Sequence, residues 1–212
     1  MSAKTSTFTL GEADLAAMAS RGVARTYPEG TIVVTEGDVT DSLYVILEGR
    51  VKVFASDEQG REVVFLTQGR GEYFGELVLE EGVRAASVMT LERSRFLVVP
   101  RHELLEFVAG NPAFALNMMR KLINRVRALS ANVKSLALMD VYGRVARLLL
   151  ELAEEEDGAL VIHERFTQQD LASRVGASRE MVGRILKDLS VGGYIVLQRN
   201  RIVINRRPPE HW

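Results

Sequence analysis

Apolar and polar positions along the chain change their period at Pro112. From Tyr27 to Val99, short runs rich in Val, Ile, Leu, Tyr and Phe are broken by glycines and acidic turns: TIVVTEGD, SLYVILEG, VKVFASDEQG, REVVFLTQG, then ASVMT and RFLVV. Closely spaced short runs of this kind predict the strands of a small antiparallel barrel or sandwich. Seven glycines fall between Gly30 and Gly75, several of them where a turn requires positive φ. Ahead of the strands, Glu12 to Ser20 predicts a short amphipathic helix.

After Pro112 the period becomes helical. Ala115, Met119, Leu122, Val126, Leu129, Val133 and Leu136 alternate spacings of four and three, and no Pro or Gly interrupts residues 113–142. That is a long helix with a coiled-coil stripe, which an equivalent helix of a second copy would cover, so a homodimer is expected. Met118, Met119 and Met139 on this helix are read as core packing.

The remainder reads as a second domain. Val141–Ala153 is an apolar-periodic helix, followed by an acidic loop, EEEDG, a short strand, LVIH, two helices, a hairpin, YIVLQRNRIVIN, and a tail, RRPPEHW. Thr167-Gln168-Gln169-Asp170 has the hydroxyl-x-x-acid form that caps a helix start. Leu171, Ala172 and Val175 supply its inward face and Gly176 a turn. Ser178 caps the next helix, whose Val182, Ile185, Leu186 and Leu189 form a buried stripe at i, i+3, i+4 and i+7. Arg179, Glu180, Gly183 and Arg184 fall on the opposite face. Two arginines, one carboxylate and a residue without a side chain make a narrow polar surface suited to the major groove. There Arg bonds guanine O6 and N7 together and Glu accepts from cytosine N4. An ordinary i,i+4 surface pair between Glu180 and Arg184 is the plainer use of the same two residues. Thr167, Gln168, Ser178 and Lys187 complete the DNA-facing set, with Arg199 and Arg201 at the hairpin tip touching phosphates.

Charge sharpens this division. The net charge is −1, yet residues 1–112 carry 11 basic and 17 acidic residues, while residues 113–140 carry 5 and 1. Residues 165–207 carry 9 and 3, a basic segment on an acidic chain that fits a nucleic-acid partner. Cysteine is absent, which excludes disulfides, thiolate zinc sites and cysteine nucleophiles. Hydrophobic residues are 47% and charged residues 26%, ordinary globular usage. The start resembles no signal peptide and no stretch approaches a membrane span, so a cytoplasmic protein without a membrane partner is expected. The three histidines, His102, His163 and His211, have no paired ligand spacing, so no metal is expected.

The stretch LMDVYGRVARLLLELA, then TQQDLASRVGASREMVGRILKDL, resembles bacterial transcription regulators of the cyclic-AMP receptor/fumarate-nitrate regulator family, and SREMVGRILK is closest to the cyclic-AMP receptor branch. The resemblance runs from about Tyr27 to Asn205. It implies an α+β fold: an N-terminal antiparallel β-roll, jelly-roll-like, a long dimerisation helix, and a C-terminal winged helix–turn–helix. The corresponding boundaries are 1–112, 113–140 and 141–212. In that branch the positions matching Arg179, Glu180 and Arg184 read a TGTGA half-site of a palindrome. FGELVLEEGVRAAS, residues 74–87, resembles the phosphate-binding cassette of cyclic nucleotide-binding domains. Glu76 would accept from a ribose 2′-hydroxyl and Arg84 would pair with the phosphate by a forked contact. Backbone N–H groups at Gly75, Glu76 and Ala85 would add donors, with Leu77 beside them.

The sequence departs from the pattern in three places. The segment between Glu76 and Arg84 is two residues shorter than in the enteric branch. Ala85 stands where Ser or Thr helps hold the phosphate, although Arg-Ala-Ala is usual in eukaryotic cyclic nucleotide-binding domains. Leu129 and Ser130 align with a Thr-Ser pair that meets the adenine base, so Ser130 keeps a hydroxyl and Leu129 offers apolar contact. Cyclic AMP is therefore the first effector expected and cyclic GMP the second, with Ser130 and Arg125 meeting the ligand across the dimer seam.

A regulator that ignores ligand, or answers a cyclic dinucleotide, is the alternative within the fold. A cyclic nucleotide-processing enzyme is the competing class, and with no P-loop and no nucleophile elbow in the chain, catalysis is not expected. On DNA the dimer would place its recognition helices in successive major grooves roughly 34 Å apart, moving about a hinge near Met139–Asp140. It would recruit or block RNA polymerase, with Glu154–Asp157 as a contact. Arg84→Ala is expected to abolish nucleotide response and spare the fold.

Overall fold

The computed structural model describes residues 9–39, 41–80, 82–156 and 158–209. The chain packs as two compact units, one ending at Val126 and the other beginning at Arg127. No helix among the described residues is long and apolar enough to cross a membrane.

In the first unit a short helix, α1 (Glu12–Ala19), precedes eight strands: β1 (Val23–Tyr27), β2 (Ile32–Val34), β3 (Ser42–Glu48), β4 (Val51–Ser56), β5 (Glu62–Gln68), β6 (Tyr73–Phe74), β7 (Ser87–Thr90) and β8 (Ser94–Pro100). They form two antiparallel four-stranded sheets, ordered β1-β8-β3-β6 and β2-β7-β4-β5. The unbroken apolar run of β3 has a direct cause, since both its faces are covered. Leu43 and Val45 pack with Met18, Leu104, Phe107, Phe114 and Met118. Ile46 and the half-buried Tyr44 pack with Val34, Val51, Phe74, Val88 and Phe96. Tyr44 stacks on Phe74 at 4.9 Å, and Phe96 stands edge-on to both rings, the arrangement favoured by the ring quadrupoles.

Two helices follow, α2 (Arg101–Gly110) and α3 (Pro112–Leu138). Phe114, Met118 and Lys121 of α3 are buried, whereas Met119, Leu122, Val126, Leu129, Val133 and Leu136 are exposed by between 38% and 65%. The seam expected from the spacing therefore lies uncovered on a single chain. Met119 corrects the reading of the helix methionines as core. It sits about 100° around the helix from buried Met118, on the outer stripe.

In the second unit α4 (Val141–Leu152) is separated from α3 by Met139 and Asp140, the latter extended and accepting from Gly143 N–H at 2.7 Å. This cap ends the long helix without Pro or Gly. Next come β9 (Glu154–Glu156), β10 (Ala159–Ile162), α5 (Gln168–Val175), α6 (Arg179–Val191), β11 (Ile195–Leu197) and β12 (Ile202–Ile204). The sheet order is β11-β12-β10-β9. Tyr142, Val145, Leu149, Leu171, Val182, Ile185, Leu186, Leu189 and Ile195 share one core.

Three further expectations are corrected. β1 precedes the predicted strand region, and its residues Val23–Thr26 are all exposed, so no apolar alternation marked it. Glu154–Glu156, read as loop, pairs with β10 as a fully exposed edge strand. The backbone ladder carries it, and its charges suit an edge. The start of the supposed tail is packed: Arg206 lies 4.4 Å over the Tyr194 ring and Pro208 is buried. Asp157 and His211 fall outside the described residues.

Candidate functional site

Two constellations stand out, one in each unit. The first is built on the link from β6 to β7. Gly75 takes φ 84°, and a Cβ there would lie 2.6 Å from Arg84 Nη1 and 3.0 Å from the Ser42 carbonyl. Glycine is thus required both by the left-handed turn and by the guanidinium lying against the backbone. A 3₁₀ helix, Glu76–Leu79, follows. Arg84 returns on a strand-like segment whose N–H donates to the Asp38 carbonyl, while its own carbonyl accepts from Gly37 N–H.

Arg84 is only 4% exposed. Its Nη2 donates to the Ser42 carbonyl at 2.9 Å and Nη1 to the Gly75 carbonyl at 3.2 Å. Asp41 lies 3.5 Å away, but its own side chain is 78% exposed. Burial lowers the Arg84 pKa, against Tyr44, Asp41 and Asp38, which raise it. Truncation at Arg84 would take one donor from each of the Ser42 and Gly75 carbonyls, the latter still accepting from Val78 N–H, so Arg84→Ala should cost stability as well as ligand response.

Glu76 is also buried, and it forms an ion pair with Arg125 of α3. Arg125, expected to meet ligand, thus meets the carboxylate expected to hold the ribose. Burial lowers the Arg125 pKa, and Tyr73 and Glu72 oppose that shift. Leu77 and Ala85 are exposed on the flanks. Leu129 and Ser130 are exposed on the part of α3 that belongs to the second unit. Lys121, one turn before Arg125, was not anticipated. Its Nζ donates to the Tyr73 carbonyl at 2.8 Å. No local spacing sets Lys121 apart from the other cations of this helix.

The second constellation is the pair α5 and α6. Thr167 Oγ1 accepts from Asp170 N–H at 3.1 Å while Asp170 accepts from Thr167 N–H at 2.7 Å, closing the expected capping box. Gly176 turns the chain at φ 63°, and Ser178 caps α6 by accepting from Met181 N–H at 3.2 Å. The four stripe residues of α6 are buried, and Arg179, Glu180, Arg184 and Lys187 are exposed on the other side. Among the described residues, Glu180 and Arg184 form no ion pair with each other. Gly183 sits in the middle of that face, and a Cβ on it would lie 3.1 Å from Gln168 Oε1. The Gln168 amide therefore lies across the helix at its one bare position. Thr167, Gln168, Gln169 and Arg179 line an open cleft beside it. Arg199 and Arg201 are exposed at the β11–β12 turn, where Gln198 N–H donates to the Arg201 carbonyl at 2.9 Å.

A capped helix pair followed by a β-hairpin is a winged helix–turn–helix, and comparison with known proteins agrees with both halves. The family described as the cyclic nucleotide-binding domain matches residues 24–111, and the Crp-like helix-turn-helix domain matches residues 143–208. The chain is 35% identical over 184 residues to the CRP-like cAMP-activated global transcriptional regulator of Mycobacterium tuberculosis, covering 84% of this chain and 82% of that one. It is 32% identical over 183 residues to the cAMP-activated global transcriptional regulator CRP of Salmonella typhimurium, covering 84% and 87%. Among solved structures, the c-di-GMP-responsive global regulator CLP of Xanthomonas campestris superposes with a TM-score of 0.81 at 26% identity, covering 92% of this chain and 99% of that one. These relatives are transcription regulators, not enzymes. The chain belongs to the cyclic-AMP receptor protein/fumarate-nitrate regulator family of DNA-binding transcription regulators.

Proposed function

We propose that the chain acts in the cytoplasm as a homodimer whose affinity for TGTGA-like palindromes is set by cyclic AMP, with cyclic GMP as the weaker effector. Arg84 carries the ligand half of this reading. A buried guanidinium whose carboxylate partner lies at 3.5 Å with its own charge in solvent is poorly compensated, and a phosphate anion would complete it. Glu76 supplies the ribose acceptor, exchanging Arg125 for a hydroxyl. Leu77, Ala85, Leu129 and Ser130 are the further ligand contacts.

The exposed apolar stripe of α3 is the dimer seam. Arg179, Glu180 and Arg184 read bases with Gln168 seated among them, Thr167, Ser178 and Lys187 complete the DNA-facing surface, and Arg199 and Arg201 set the register on phosphates. The domain boundaries are those given by the sequence, with Met139–Asp140 as the hinge. Ligand shifts the balance between arrangements of the two DNA-binding domains by its differential affinity for them. Exposed β9 is the contact offered to RNA polymerase. The response of the Xanthomonas campestris regulator to c-di-GMP makes a cyclic dinucleotide the second reading.

Fluorescence anisotropy of a labelled TGTGA-palindrome duplex at fixed salt tests the whole proposal. Cyclic AMP should tighten binding more than cyclic GMP or c-di-GMP. Tight binding that ignores all three would refute ligand control, and absence of specific binding would refute the half-site.

A further inference from the structure

Lys121 is a buried cation that the reading above does not use. It is 9% exposed, and among the described residues no carboxylate lies within ion-pair distance of its Nζ. Nζ donates to the Tyr73 carbonyl at 2.8 Å and sits 3.4 Å from the centre of the Tyr73 ring. Burying an ammonium without a paired charge is costly, and an apolar side chain would serve packing better. Nor does the Tyr73 carbonyl need this donor, since Gln68 Nε2 also donates to it at 2.8 Å. What Lys121 adds is a link from α3 to the strand that leads into Gly75.

One helical turn further on, Arg125 holds Glu76 from the same face of α3. The two cations thus grip the main chain before Gly75 and the side chain after it. Gly75 itself, at φ 84° and without a side chain, is the freest point of the segment. Fixing both sides of a glycine fixes the glycine.

We propose that Lys121 is a positioning residue for the nucleotide site, tethering the Tyr73 carbonyl to α3 so that Gly75 and Glu76 are held ready for the ligand. The proposal rests on the cyclic-nucleotide reading of Glu76 and Arg84. It gives the site a sensitivity to alkali that Arg84 and Glu76 do not. Burial brings the Lys121 pKa down to about 8, with Glu72 opposing. Of the groups facing it, the Glu72 carboxyl is raised from its ordinary value by burial, and Tyr73 is pushed up to about 12. Arg125 is lowered by burial from the ordinary guanidinium range, and Glu76 is paired with it. Lys121 is therefore the group of this cluster that loses its proton between pH 7 and 9.

The test compares wild type, Lys121→Met and Lys121→Arg by two readouts. Calorimetric titration with cyclic AMP at pH 7 should show affinity reduced by about fivefold or more in Lys121→Met, the worth of one hydrogen bond, and largely kept in Lys121→Arg. Wild-type affinity should fall from pH 7 to pH 9, and Lys121→Arg should not follow it. Hydrogen–deuterium exchange of ligand-free protein should be faster over residues 73–79 in Lys121→Met alone. Wild-type affinity that is flat across this pH range, or a Lys121→Met variant matching wild type in both readouts, would overturn the proposal. A wild type that binds no cyclic nucleotide would overturn the parent reading instead, and the exchange comparison would still decide the tether.

Discussion

Gly183→Ala should make the protein more stable and worse at reading DNA. Gly183 lies inside α6, a helix of 13 residues, where glycine costs about 1 kcal/mol relative to alanine because more backbone freedom is lost on folding. The new Cβ would stand 3.1 Å from Gln168 Oε1 and 3.3 Å from Gln168 Cδ, its three nearest neighbours all belonging to the Gln168 side chain. Gln168 is exposed, so its amide can swing outward at small cost and most of the helix gain survives. For a domain of this size 1 kcal/mol corresponds to about 4–8 °C in midpoint, and differential scanning calorimetry should show the second unit's transition rising by that order.

The same displacement removes Gln168 from its seat beside Arg179 and puts a methyl group on the groove-facing surface. Affinity for the palindrome should fall by about tenfold, the scale of one lost polar contact to DNA, while binding to unrelated duplex at the same salt stays unchanged. Gln168→Ala should cost about as much alone, and the double variant little more than either, since residues that act through one contact are not additive. A lowered transition temperature, or fully additive losses, would refute the idea that Gly183 is bare in order to seat Gln168.

Arg84→Lys should lose nucleotide response and also roughly 1–3 kcal/mol of stability in urea titration, because the fork to the Ser42 and Gly75 carbonyls cannot be remade by an ammonium. Unchanged stability would argue against those bonds. Thr167→Ala should cost about 1 kcal/mol by removing the side-chain acceptor of the capping box, read by the same titration. Val126→Glu, on the uncovered stripe of α3, should shift the protein from dimer to monomer in sedimentation, and a dimer that persists would move the seam elsewhere. Lys121 also makes stability depend on pH. Its folded pKa of about 8 lies below the ordinary 10.5, so above pH 8 the unfolded chain binds the extra proton and stability rises with pH. The gain is on the order of 3 kcal/mol if carried to pH 10.5. Above pH 10 Tyr73, raised to about 12, stays protonated only in the fold and reverses the slope. Between pH 8 and 9.5, then, wild type should gain stability that Lys121→Met does not.

How much of this could be read from the chain depended on whether the cause was local. The capping box at Thr167 and Asp170, the buried stripe of α6 and the apolar stripe of α3 are set by spacings of three and four residues, and all are present. β1 and β9 escaped because they are edge strands held by backbone ladders, with Tyr27 against Phe96 the one packed ring of β1. VARTY and EEE carry no alternation, and their partners lie elsewhere in the chain. The cassette was legible only in part. Arg84 and Glu76 stood out through resemblance, but their partners, Ser42, Gly75 and Arg125, come from three other elements. Lys121 was hidden for a different reason. In a basic helix it looks like any solvated lysine until the fold brings Tyr73 over it.

The decisive feature of α3 is how little separates its duties. Met118 is buried in the core of the first unit and Met119 is exposed on the seam. Arg125 holds Glu76, and Val126, the next residue, is 61% exposed on the same seam. Neighbouring residues on a helix point about 100° apart, so a helix gripped on one side cannot turn without carrying its other side along. In the proposed reading, a ligand that takes Glu76 from Arg125 should change the rotation of the apolar stripe beside it. This places the most sensitive variants on α3 at the cation face, Lys121 and Arg125. Substitution there should alter ligand response with the seam residues untouched, whereas Val126→Glu should remove the dimer and the ligand response together.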